Sequence, residues 1–189
     1  FKYSTTFNVE SGTTTYNSSG DRKLWCNINV KQGARLINER QDSFKWDANS
    51  NYPIHAHIYG TLTMNAKWTV GYNANYIHLY DGALIDGTAS IHANTTGSSG
   101  YIIAETGTSV ITAPVVKGNG TITVETKAGA TLSTVYTPEI TTRTGEGKLL
   151  KRIENSRWDG NAAPTNYDGV DLYSTGPRSD SSHSTTFVN

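Results

Sequence analysis

Between Asn27 and Tyr136 the chain alternates apolar and polar residues in short runs, and each run reaches a glycine before further apolar residues follow. The runs are INVKQGARL, AHIYGTL, IHLYDGAL, YIIAETGTSV and TITVETKAGATL, with glycines at Gly33, Gly60, Gly82, Gly107 and Gly129. Successive glycines lie 27, 22, 25 and 22 residues apart. A period of about 20 to 50 residues marks a stacked repeat, and alternation with period two marks strands, not helices. The pattern predicts an all-β chain whose residues 26–140 form a parallel β-solenoid of about five rungs.

The rungs align on one another residue by residue. AHIYGTL lies over IHLYDGAL when Asp81 is taken as an extra turn residue. Ala56, Ile58, Ile77 and Leu79 then face inward, while His57 stacks on His78 and Tyr59 on Tyr80 outside. Neighbouring strands lie about 4.8 Å apart, so such columns are in contact. Extending the alignment puts Ile103 and Thr123 in the histidine column. It puts Glu105 and Glu125 in the tyrosine column, with Lys31 at its other end. In the first rung Leu24, Cys26, Ile28 and Val30 share the inner face, and the following INERQDSFKWDANSNYP reads as a long loop or extra hairpin. Two or three short strands per rung suit a flattened or triangular cross-section.

Both ends differ from the middle. Residues 1–25 contain an alternating strand, KYSTTFNVE, and then turn-rich sequence, which reads as an N-terminal cap over an otherwise open edge. Residues 141–189 read as an irregular C-terminal cap rich in Asp-Gly and Gly-Pro turns, with one more strand or a short helix at KLLKRIE.

Charge and composition narrow the functions. Sixteen Lys plus Arg balance sixteen Asp plus Glu, so there is no basic excess of the kind nucleic-acid binding requires. No stretch approaches the apolar length of a membrane span. The single cysteine, Cys26, has no disulfide partner and reads as a buried core residue. A chain nearly free of cysteine and rich in Thr, Ser, Asn, Gly and Tyr fits an extracellular protein. It begins at Phe1, which suggests a fragment or a processed product.

The repeated form, apolar-x-apolar-x-x-Gly-Ala/Thr-x-apolar, resembles single-stranded right-handed parallel β-helices. These include pectate-lyase-like enzymes, passenger regions of autotransporter adhesins, and phage tailspike or tail-fibre proteins. The resemblance implies an extracellular, carbohydrate-facing or adhesive role, a cell-surface glycan or polysaccharide as partner, and a homo-oligomer, either trimer or fibre. The Asn-Thr-Asp, Asp-Asp and Gly-His-Gly signatures of the polygalacturonase-like members are missing. The solenoid arginines Arg22, Arg35 and Arg40 face no aspartate cluster of the pectate-lyase kind.

Three constellations carry candidate chemistry. Glu105 and Glu125, if stacked one strand apart, approach the carboxylate separation of retaining glycosidases; they are the catalytic candidates of an alternative, polysaccharide-degrading reading. His55, His57, His78 and His92 fall in adjacent rungs. His57 over His78 offers two imidazoles, and His55 has the same strand parity, but no metal or cofactor motif accompanies them. Tyr59, Tyr80, His57 and His78, with Trp68, Tyr72 and Tyr76 close in sequence, form an aromatic strip suited to stacking on sugars. The expectation is a non-enzymatic adhesive or structural domain without cofactor. Its ligand-binding residues would be Tyr59, Tyr80, His57, His78, Trp68 and Tyr72. A self-assembling fibre subunit without a ligand is the remaining alternative.

Overall fold

The computed structural model describes residues 5–17, 26–39, 44–46, 53–70, 73–93, 97–136, 138–154, 157–161 and 165–174. The chain winds through short strands. The first rung holds β1 (Thr6–Val9) and β2 (Thr13–Tyr16), and the second holds β3 (Asn27–Val30), β4 (Arg35–Asn38) and β5 (Phe44–Trp46). The next comprises β6 (Ile54–Ile58), β7 (Thr61–Met64) and β8 (Trp68–Val70). It is followed by β9 (Asn73–Leu79), β10 (Leu84–Gly87) and β11 (Ile91–Ala93). Then come β12 (Ser98–Ala104), β13 (Thr108–Ile111) and β14 (Val115–Val116). The last rungs use β15 (Thr121–Thr126) with β16 (Thr131–Thr134), then β17 (Thr142–Thr144) with β18 (Lys148–Glu154), and β19 (Gly169–Tyr173) closes the series.

These strands stack into three parallel sheets. The first is seven-stranded, β1-β3-β6-β9-β12-β15-β17; the second is eight-stranded, from β2 through β4, β7, β10, β13, β16 and β18 to β19; the third is β5-β8-β11-β14. The parallel β-solenoid expected from the glycine-punctuated runs is therefore the fold, and three faces give the triangular form. It extends beyond residues 26–140. β1 and β2 pair in parallel with β3 and β4, so the segment read as a cap supplies two strands of a rung. KLLKRIE is a strand, β18, on β16. Within the stretch read as a long loop, Phe44–Trp46 is a strand of the third sheet, paired with β8.

Hydrophobicity holds the rungs in register. Val9, Val30, Ile58, Leu79 and Ala104 form one inward column, and Ile28, Ala56, Ile77, Ile102 and Val124 another. All are buried. A fully buried aliphatic side chain contributes about 1.5–3 kcal/mol, and a one-residue slip would turn a whole rung inside out. Cys26 lies in this core, where burial pushes its thiol up to about 11.

The corner between the first and second sheets repeats. The amides of Ala34, Ala83 and Ala130 donate to the carbonyls of Lys31, Tyr80 and Lys127 at 3.0, 2.9 and 2.9 Å. The residues before those alanines, Gly33, Gly82 and Gly129, have φ of 75°, 79° and 77°. Positive φ at the third position is what a type II turn requires, and glycine supplies it without strain. Gly60 serves differently: its φ is ordinary, but a Cβ there would meet the Ala34 and Lys31 carbonyl oxygens at 2.3 and 2.4 Å.

Candidate functional site

The outer face of the seven-stranded sheet holds most of the residues singled out from the sequence. Strand alternation sends His55, His57 and Tyr59 outward from one rung and Tyr76, His78 and Tyr80 from the next. The register pairs His55 with Tyr76 and His57 with His78, as the alignment of the two runs predicts. Lys31 lies over the Tyr59 ring at 5.9 Å, and Ile103 continues the histidine column next to His78.

The rings form ladders along the solenoid. Tyr59 and Tyr80 stack with centroids 4.0 Å apart and planes 9° apart. His57 and His78 stack at 4.6 Å and 10°. A third column joins His55, Tyr76 and Tyr101, at 4.8 Å and 8° for the first pair and 4.6 Å and 18° for the second. These separations match the spacing between strands, and each aromatic pair adds about 0.5–1.5 kcal/mol beyond its area. The geometry also decides what solvent meets. The ring faces are turned toward one another, so they are not free to lie against the ring of a sugar. Tyr101 was not among the sequence candidates, although HAHIY, YIHLY and YIIAE place His55, Tyr76 and Tyr101 at the same position of the repeat.

A hydrogen-bond chain crosses these columns. His78 Nδ1 lies 2.7 Å from Glu105 Oε1. A carboxylate only accepts, so Nδ1 carries the proton. His78 Nε2 lies 2.9 Å from His55 Nδ1, and His57 Nδ1 lies 2.9 Å from the Tyr80 hydroxyl. The His78 and Glu105 side chains are only 13% and 24% exposed, so the contact is shielded from bulk water. Burial, reinforced by the neighbouring His78, holds His55 below the usual imidazole value. His57 is lowered by the same causes with His55 added, against a smaller opposing pull from Glu105. Burial, the Tyr59 hydroxyl and the Glu105 charge all push the Tyr80 phenol up, so it stays protonated. One nitrogen from each of His55, His57 and His78 lies within 4.8 Å of the other two.

Other candidates are placed elsewhere. Glu105 and Glu125 do not share a column. Glu125 pairs with Ile103 in the histidine column and forms an ion pair with Lys127 at 3.1 Å. Glu105 turns to His78. The two-residue offset arises because Thr126 is fully buried at the inward position, where the pattern of apolar residues ends the strand's inner face at Val124. Trp68 is buried in the core, 1% exposed, so it belongs to packing and not to a surface strip. Tyr72 lies outside the described residues. His92 sits on the third sheet, between Thr69 and Val116, away from the other three histidines. Among the described residues no helix is long and apolar enough to cross a membrane.

Comparisons of the chain with known protein families, curated proteins and solved structures found no match.

Proposed function

We propose that the chain is an extracellular presenting domain, a rigid β-solenoid that binds a surface glycan or polysaccharide through the outer face of its seven-stranded sheet. The carrying observation is the register of that face. Parallel pairing sets His55, Tyr76 and Tyr101 in one column, His57 and His78 in a second, and Tyr59 and Tyr80 in a third. The stacked rings are preorganised, so little side-chain entropy is lost when a ligand binds. Because the ring faces are engaged with one another and His78 and Glu105 with each other, recognition comes from the phenol hydroxyls and from the more exposed charges of Lys31, Glu125 and Lys127. A polyhydroxylated chain meets such a row with many individually weak hydrogen bonds that add along a rigid support. Assembly into a trimer or fibre would multiply them. The separation of Glu105 from Glu125 by register favours this binding role over a glycosidase acting through that pair.

The test is a glycan array followed by titration of any retained polysaccharide, with Tyr59→Phe and Tyr80→Phe as variants. Phenylalanine keeps the stack and removes the hydroxyl; at position 80 that hydroxyl also meets His57 Nδ1, so Tyr59→Phe is the cleaner variant. A hydrogen bond is worth about 1 kcal/mol, so each variant is expected to bind roughly 5-fold more weakly. Retention of no glycan, or unchanged affinity in both variants, would overturn the reading.

A further inference from the structure

We infer that His55, His57 and His78 form a binding site for a zinc-class divalent transition metal, with Glu105 as the positioning residue behind His78. The strand period places His55 and His57 on one face of β6, two residues apart, and the parallel register sets His78 of β9 directly beside His57. Three imidazoles with a fourth position left for water or a ligand is a recurrent open zinc arrangement, and nitrogen-rich sites favour zinc, copper, nickel and cobalt over magnesium or calcium.

The surroundings fit that use. A metal-bound histidine usually donates its other ring N–H to a carboxylate, which fixes the tautomer and raises ligand basicity. His78 does so already, with Nδ1 at 2.7 Å from Glu105. Its Nε2 is thereby the ligand atom, and it already lies 2.9 Å from His55 Nδ1. The Tyr80 hydroxyl, 2.9 Å from His57 Nδ1, orients that ring as well. Tetrahedral coordination at 2.0–2.1 Å brings ligand nitrogens to about 3.4 Å from one another. One nitrogen of each ring lies within 4.8 Å of the other two, so their separations change by no more than about 1.4 Å. The rings, however, are within 20° of parallel, so their in-plane lone pairs converge on one ion only when the rings turn out of the stack. Rotation of a histidine ring about χ2 is soft and can supply it. The metal then replaces the His55–His78 hydrogen bond, and part of the His57–His78 stacking is given up.

The experiment uses the full chain without a histidine tag, titrated with cobalt(II) chloride and then with zinc chloride. The expected result is one cobalt per chain with the strong visible d–d absorption of tetrahedral coordination, bleached by zinc, and a higher melting temperature with zinc present. His57→Gln and His78→Gln should each weaken binding by about 10-fold or more. Glu105→Gln should weaken it by roughly 10–100-fold while keeping the tetrahedral spectrum, a split that a purely structural glutamate would not give. His92→Gln, on the third sheet, should change nothing. Thermal melting of each metal-free variant verifies its fold. Absence of tetrahedral absorption in the wild type overturns the site irrespective of any variant. So does binding that survives both His57→Gln and His78→Gln, or that His92→Gln abolishes equally. Because cobalt binding is read spectroscopically, it is decided independently of glycan binding.

Discussion

Gly60 and Gly33 occupy the same corner of successive rungs but are glycines for different reasons. Gly33 has φ of 75° and open space where a Cβ would go, so alanine there meets only backbone strain, about 1–2 kcal/mol. Gly60 has an ordinary φ, yet its Cβ would drive into two carbonyl oxygens of the rung below at 2.3 and 2.4 Å. Those carbonyls are committed: Lys31 O accepts from Ala34 and Ala34 O accepts from Thr61. Neither can yield without loosening the corner. Gly60→Ala is therefore expected to destabilise by about 1–3 kcal/mol, as overpacking does, and to perturb neighbouring rungs. Gly33→Ala should act locally. Urea unfolding midpoints, with amide chemical shifts of Ala34 and Thr61 as the local readout, distinguish the two. A Gly60→Ala protein with wild-type midpoint and shifts would refute the close-approach account.

At the level of elements, β19, the last strand among the described residues, pairs along β18, and the side chain of Asp168 fastens its start. Asp168 Oδ2 accepts from the Leu149 amide at 2.7 Å, and the Asp168 amide donates back to the Leu149 carbonyl at 2.8 Å. Arg143 of β17 pairs with the same carboxylate. Burial alone would raise the Asp168 carboxyl, but the Leu149 N–H and the Arg143 and Lys148 charges outweigh it and hold it below 3.8. A carboxyl lowered on folding stabilises above its unfolded value, and that stabilisation is lost as pH falls through the folded one. The docking of β19 should thus weaken as pH drops below 3.8, seen as loss of the tyrosine near-ultraviolet dichroism before the far-ultraviolet β signal. Asp168→Asn should reproduce this at neutral pH, with faster amide exchange in β19 while β9 and β12 are unchanged. Equal exchange in wild type and variant would remove the clamp. This fastening was not legible in the sequence, where Asp168-Gly169 reads as turn chemistry. The rungs were legible because three corners share one turn, Lys/Tyr-x-Gly-Ala, and a common turn fixes register; the His57–His78 and Tyr59–Tyr80 columns follow from it. Where a polar residue took an inward place, at Thr126, the alternation misled by two positions. The third sheet was hidden for another reason: its strands are two or three residues long, too short for alternation to show, so Trp68 passed for a surface aromatic.

For the whole molecule, stacking makes stability nearly one-dimensional: each rung gains from its neighbours alone. β1 and β2 cover the inner positions of β3 and β4, with Val9 2% exposed and Phe7 and Tyr16 packed against the core. They also satisfy backbone groups that would otherwise present a bare sheet edge, a template for association. The histidine and tyrosine columns begin further along, on β6, β9 and β12, and His55 rests on β3 through the Asn27 side chain, which accepts its amide at 2.9 Å. A chain starting at Asn27 keeps every contact within those columns and loses one rung's worth of stacking. It is expected to unfold at lower urea concentration and to associate more readily, seen by light scattering. Its cobalt titration and its glycan affinity, measured where it remains folded, should match those of the full chain. If the shortened chain lost metal and glycan binding while still showing the β signal, the outer face would depend on the first rung. The nearest-neighbour picture of the solenoid would then fail, because the site would be a property of the whole stack and not of the rungs that carry it.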